Sequence, residues 1–215
     1  MTRDDVGKIL LEDKVVAVVR IDDAAALRRG VRAIRDGGIR AVEITMTVPG
    51  AVEIIRTLAG DESADFLVGA GTVLGPAPAR AVIEAGARFV VSPILDEEVL
   101  RVCRERDIFV VPGAFSPTEI QRARTAGADI VKVFPAAVLG PAFFMDLKGP
   151  FPDIRLMATG GITIENAPSF IDAGACCVGV GGALIGKKDV AEGRWNDVTD
   201  RARTIVDTLK KSLTK

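Results

Sequence analysis

The fold class this sequence predicts is a parallel (β/α)8 barrel with an additional N-terminal helix. Three observations predict it. Short apolar runs rich in Val, Ile and Phe recur along the chain, segments of helical spacing separate them, and a glycine-led pattern returns every second unit. Strands apolar on both faces and alternating with helices build βαβ units around a parallel sheet. Eight such strands in 215 residues suit one compact closed barrel. No linker, charge block or low-complexity segment interrupts residues 1–215, so one domain is expected.

In chain order, segment 1–14 breaks its apolar positions with acids and bases, and reads as a helix on or near the barrel rather than a signal peptide. Strands are expected at 15–20, 39–45, 66–70, 88–92, 108–112, 129–134, 154–159 and 175–180. Helix starts lie between them. Asp22 precedes an Ala-Leu-Arg helix, Pro49 and Pro76 suit first turns, and Ser116-Pro117-Thr118-Glu119 reads as a cap followed by an early acid. Segment 187–215 reads as helix, with Trp195 a packing anchor.

The repeat consists of DGGIRAVEI (36–44), EAGARFVVS (84–92), TAGADIVKV (125–133) and DAGACCVGV (172–180). Its glycines, Gly38, Gly86, Gly127 and Gly174, lie 41 to 48 residues apart, each placed to end a helix in the left-handed conformation before a strand. Five residues beyond them stand Glu43, Val91, Lys132 and Gly179. Alternate strands of an eight-stranded barrel share interior layers, so the repeat predicts Glu43 facing Lys132 inside the barrel, with Gly179 leaving room beside them.

Composition removes whole classes of function. With 28 basic against 29 acidic side chains and 5% aromatics, the chain announces neither a basic face nor a stacking surface for nucleic acid. It has no histidine, which removes His general bases, Ser-His-Asp triads and nearly every common zinc site. Cys103, Cys176 and Cys177 have no metal-ligand spacing and read as reduced thiols of a cytoplasmic protein. The longest uncharged runs, 133–145 and 173–186, are too short and too rich in Pro or Gly to span a bilayer.

Two charges interrupt apolar strands. In IVKVF (130–134), a buried Lys132 is driven toward the neutral amine that attacks carbonyls to form a Schiff base; alternatively it snorkels to solvent at the barrel mouth. In AVEITMT (41–47), Glu43 either shuttles protons for a lysine-bound substrate or is a structural carboxylate held by amides or by Lys132. Glycine-rich turns close the seventh and eighth strands, at Gly160-Gly161 and Gly181-Gly182, where (β/α)8 enzymes frequently bind phosphate; each alone also serves as a tight turn. Gly69-Ala70-Gly71-Thr72 lacks the third glycine of a dinucleotide fingerprint. Arg20 ends the first strand, as a carboxylate clamp or as a rim residue.

EITMT, GAGTV (69–73), VSP (91–93), KVFPA (132–136), TGGI (159–162) and GVGGAL (179–184) occur in one order. With them the chain, from about Val15 to Gly186, resembles the 2-keto-3-deoxy-6-phosphogluconate (KDPG) / 4-hydroxy-2-oxoglutarate aldolase family. The resemblance implies a homotrimeric barrel and a class I lyase without metal or cofactor. Its reaction would cleave KDPG to pyruvate and glyceraldehyde 3-phosphate in the Entner-Doudoroff pathway, and possible further substrates are 4-hydroxy-2-oxoglutarate and the galactonate isomer. By position, Lys132 would form the Schiff base and Glu43 would be the acid/base. Thr72, Pro93 and Phe134 would line the pyruvate pocket, Thr159 would contact substrate hydroxyls, and Gly160, Gly161, Gly181 and Gly182 would offer donors to phosphate.

Departures from the family pattern shape the assignment. Thr47 stands among the substrate-facing residues where some members have an Arg for the carboxylate, and Arg20 takes that role here; Ala183 replaces a Ser near the phosphate. Rival readings are a sugar-phosphate isomerase or epimerase on the same barrel, which would form no imine, and a noncatalytic sugar-phosphate binder.

Overall fold

The computed structural model describes residues 1–61 and 66–211. Its strands are β1 (Val15–Val19), β2 (Ala41–Thr45), β3 (Leu67–Gly71), β4 (Phe89–Val91), β5 (Phe109–Val111), β6 (Gly113–Ala114), β7 (Val131–Val133), β8 (Leu156–Thr159) and β9 (Cys177–Val180). All pair in parallel in the order β5-β4-β3-β2-β1-β9-β8-β7-β6. Because β5 and β6 flank Pro112, the two ends of the sheet belong to one interrupted strand, and the sheet closes into an α/β barrel of the (β/α)8 type. The strand expected at 108–112 is found as β5, and β6, beyond the expected range, continues the wall after Pro112. Proline has no N–H for the ladder, yet its carbonyl still accepts from Lys132 N at 2.8 Å, so the wall stays intact.

Helices alternate with the strands: α2 (Ala24–Asp36), α3 (Ala51–Asp61), α4 (Pro76–Glu84), α5 (Glu97–Glu105), α6 (Pro117–Thr125), α7 (Ala136–Leu147) and α8 (Ala167–Asp172). Then α9 (Lys187–Glu192) and α10 (Trp195–Lys211) end the described chain; the last part of the expected 187–215 helical segment, 212–215, lies outside the described residues. Local chemistry sets the helix starts. Pro76 begins α4, and Ser116 with Glu119 forms a full capping box on α6. Two expectations are corrected. Asp23, not Asp22, caps α2, because its Oδ1 accepts from Ala26 N at 2.6 Å, and Pro49 lies in the turn ahead of α3 rather than in its first turn. Gly38, Gly86, Gly127 and Gly174 have φ of +94°, +100°, +92° and +104°, a conformation that a Cβ penalises.

Strand periodicity splits the core in two. Val15, Ala17 and Val19 of β1 pack outward with Val42, Ile44, Val131 and Val133 against the helices. Val16, Ala41, Leu67, Phe89, Phe109, Ile130, Met157 and Cys177 fill the barrel, together with Val6, Ile9 and Leu10 of α1 (Arg3–Asp13). The N-terminal helix therefore plugs the end of the barrel where the strands begin. Arg3 fixes it there through Asp129, whose carboxylate accepts from Arg3 Nε at 2.9 Å and from Val110 N at 2.8 Å. Each buried aliphatic side chain contributes about 1.5–3 kcal/mol.

Trp195 packs, partly buried, on the outer core. All three cysteines are free, and burial pushes the Cys103 thiol up to about 12. Among the described residues no helix is long and apolar enough to cross a membrane.

Candidate active site

Strand parity carries two ionisable side chains inward. Glu43 follows Ala41 by two residues on β2, and Lys132 follows Ile130 by two on β7, so each continues the inward-facing row toward the mouth. Glu43 is 0% and Lys132 3% exposed. Neither Glu43 oxygen has a hydrogen-bond partner, and among the described residues no ion pair within 4.0 Å engages either side chain. In this geometry Lys132 is almost wholly covered, and Glu43 accepts from no amide and no lysine among the described residues. An unpartnered buried carboxylate is costly in a finished core, and it suits a group whose partner arrives with a ligand.

Phe134 connects Lys132 with other predicted residues. The Lys132 Nζ lies 5.2 Å from the centroid of the Phe134 ring. Phe134 lines a cavity of about 340 Å³ with Arg20, Thr159, Gly160, Gly161, Gly181 and Gly182. Thr159 Oγ1 is a third buried polar atom with no partner among the described residues. On the other side, Phe134 lines a cavity of about 290 Å³ with Pro93, Gly113 and Phe115. Pro93 is pinned by close backbone approach: Gly113 N donates to Ile94 O at 3.1 Å, and a Cβ on Gly113 would overlap the Pro93 carbonyl. The glycine turn after β8 is tied back through its carbonyls, Gly160 O accepting from Ala137 N and Gly161 O from Asn166 Nδ2, each at 3.0 Å.

Two predicted residues sit at the edge. Thr72, half-buried, follows β3 at φ +58°, a strained backbone for a β-branched residue. Thr47 is exposed in the turn after β2, its hydroxyl 2.9 Å from Thr45 Oγ1. Gly179 does leave room, but for a different neighbour: a Cβ there would lie 2.6 Å from Thr159 Oγ1 and 2.8 Å from Met157 Cε.

Two neighbours of Glu43 escaped the reading of the sequence. Thr45, fully buried, continues the inward row two residues beyond Glu43, and the two-residue period was the signal that could have found it. Gly71 faces Thr45 across β2 and β3, and a Cβ on it would overlap Glu43 Oε1. No local signal announces that requirement, because it arises between strands.

A parallel barrel holding a buried lysine and an unpartnered carboxylate toward the C-terminal ends of its strands has the groups that the chemistry of a class I, Schiff-base lyase requires. The sequence model of the KDPG and KHG aldolase family matches residues 6–201, and the chain belongs to that family. It is 35% identical over 198 residues to the 2-dehydro-3-deoxy-phosphogluconate aldolase of Pseudomonas aeruginosa, covering 91% of this chain and 89% of the relative. It is 37% identical over 155 residues to the 2-dehydro-3-deoxy-6-phosphogalactonate aldolase of Escherichia coli, covering 72% and 76%. Its fold matches the KDPG aldolase of Legionella pneumophila, solved with pyruvate captured as a covalent carbinolamine, with TM-score 0.84 at 28% identity over 93% of this chain and 97% of that one. The protein is thus an aldolase of class I.

Proposed function

We propose that the protein cleaves KDPG to pyruvate and glyceraldehyde 3-phosphate, with Lys132 as nucleophile and Glu43 as acid/base. The observation that carries this reading is the pair of buried, unpaired side chains, one amine and one carboxylate, on the inward face of a single barrel.

The amine of Lys132 attacks the C2 ketone, and loss of water gives an iminium. Glu43, through a water, takes the C4 hydroxyl proton as the C3–C4 bond breaks and the aldehyde departs. The bonding pair flows into the iminium and forms an enamine. Glu43 returns its proton to C3, and hydrolysis of the new iminium releases pyruvate and the free lysine. Thr72, Pro93 and Phe134 line the pyruvyl half, and Thr159 offers its free hydroxyl to the substrate hydroxyls. Gly160, Gly161, Gly181 and Gly182 surround the far end, Thr47 borders the entrance, and Arg20 takes an anionic group of the substrate.

We further propose a cytoplasmic homotrimer without metal, cofactor or nucleic acid. Leu74, Ile94, Phe115 and Val138 are exposed apolar residues following β3, β4, β6 and β7, and they supply one rim for contact between copies.

The substrate is tested by pyruvate release from KDPG, from its galactonate isomer and from 4-hydroxy-2-oxoglutarate. KDPG should give the highest kcat/KM. A preference for the galactonate isomer would overturn the assignment of C4 configuration.

A further inference from the structure

We infer that Cys176 and Cys177 form a two-sulfur clamp for a soft, thiophilic centre that takes two thiolates at a bent angle, the chemistry of a monosubstituted trivalent arsenical. Consecutive side chains of a strand normally point to opposite faces. Here Cys176 lies in the bend just ahead of β9, and both cysteines pack against the cluster that fills the barrel. Their Sγ atoms converge to 3.9 Å. The backbone on either side is fixed, because Cys176 N donates to Leu156 O and Val178 N to Lys14 O, each at 2.8 Å. Cys177 is fully buried and Cys176 partly exposed, so a ligand reaches the pair past Cys176.

Distance decides what the pair can hold. A disulfide has sulfurs about 2.03–2.05 Å apart and Cα atoms usually about 4.4–6.8 Å apart, whereas consecutive Cα atoms lie about 3.8 Å apart. Closing an S–S bond would therefore move a backbone that β8 and the end of α1 hold in place. A shared atom between the sulfurs asks for much less. With bonds of about 2.3 Å, the length of a zinc–thiolate bond, a separation of 3.9 Å gives about 115° at that atom. The angle is bent, as at a pyramidal trivalent arsenic, and not the straight line of two-coordinate soft ions. Among the described residues no group of three or more His, Cys, Asp and Glu could hold a metal ion, so the pair also lacks the four ligands of structural zinc.

The two thiols differ in reactivity. Contact with the Cys177 thiol, together with the nearby Arg155 and Lys148, lowers the pKa of Cys176 despite its burial. Contact with Cys176 and burial raise that of Cys177, so Cys176 attacks first. Each sulfur forms one bond to arsenic and displaces one hydroxyl, which leaves with the thiol proton as water. Arsenic stays trivalent and nothing is oxidised. Neither cysteine lines the cavities at the mouth around Arg20 and Phe134, so the clamp is separate from the aldolase site.

The test is incubation of the folded protein with phenylarsine oxide, followed by intact mass and peptide mapping, on the wild type, Cys176→Ala, Cys177→Ala and Cys103→Ala. The wild type and Cys103→Ala should gain one phenylarsenic unit per chain, less two hydrogens, bridging Cys176 and Cys177. Excess mercaptoethanol, a monothiol, should leave the adduct in place, and dimercaptopropanol, a dithiol, should remove it. The other two variants should hold the probe about a hundredfold or more weakly, the scale on which a second linked contact raises affinity. Circular dichroism identifies the variants that fold, and Cys176→Ala, at the partly exposed position, decides the case if the core variant Cys177→Ala does not. Undiminished binding by folded Cys176→Ala would overturn the inference. So would an adduct that forms only in urea, or one that the monothiol strips from the wild type.

Discussion

Gly71 is bare because the carboxylate of Glu43 occupies the space of its missing side chain: a Cβ there would overlap Glu43 Oε1 and Cδ. The two sit on neighbouring strands, Glu43 paired with Gly69 and Thr45 with Gly71. Gly71→Ala should therefore displace the carboxylate while leaving Lys132 in place. Misplacing a catalytic group by about 1 Å costs roughly 100-fold in rate. We expect kcat to fall by about that factor, with borohydride trapping of pyruvate retained. Steady-state kinetics and trapping on the same variant check it.

Glu43 itself should show opposite effects on activity and stability. Glu43→Gln should slow carbon–carbon cleavage and exchange of the pyruvate methyl protons in D2O by about 10²–10⁴-fold. The same variant removes a buried carboxylate that has no partner, and should stabilise the fold by about 1 kcal/mol in urea unfolding. A loss of stability would mean that the carboxylate is held by something in the resting protein.

Adjacent glycines at the end of α2 separate backbone strain from steric overlap. Gly38 has φ +94° and its Cβ would meet nothing nearer than Val206 Cγ1 at 4.0 Å, so Gly38→Ala should cost about 1–2 kcal/mol from conformation alone. Gly37 has φ −81°, yet its Cβ would overlap Ala202 Cβ and lie 2.6 Å from Thr199 O on α10. Gly37→Ala must push two helices apart and should cost about 2–3 kcal/mol. Chemical denaturation of the two variants should rank Gly37→Ala as the worse.

Asp189 ties α9 to α10. Its carboxylate accepts from Gly186 N at 2.7 Å and Arg201 Nη2 at 2.6 Å. Burial by itself raises its pKa, but these two bonds and the nearby Arg194 outweigh it and leave the group below the ordinary aspartate value of 3.8. A depressed folded-state pKa contributes stability above the unfolded value and loses it as pH falls through the folded one. Asp189→Asn should therefore cost about 2 kcal/mol at pH 7, and the gap from wild type should close below about pH 4. Urea unfolding from pH 7 to pH 3 measures it.

Much of this architecture was legible because local rules and global fold agree. The four helix-ending glycines announce their left-handed φ, and Ser116 with Glu119 announces a capping box. The inward positions of Glu43 and Lys132 follow from one charge in an apolar strand and a count of five from a glycine. Other features are set between elements. Asp22 and Asp23 are equivalent caps on paper, and only the path into α2 decides for Asp23. Pro112 ends the expected run at 108–112 and shows where it is interrupted, but not that β6 takes up the wall beyond it. Gly71 and Thr45 depend on which residues neighbouring strands place side by side.

The central claim is that Lys132 forms an imine with pyruvate, and it is tested most directly by borohydride reduction followed by intact mass and peptide mapping. The account predicts one reduced pyruvyl adduct per chain, on Lys132, lost in Lys132→Ala and retained in Glu43→Gln. A folded protein saturated with pyruvate that gains no mass, or carries the adduct on another lysine, would contradict it.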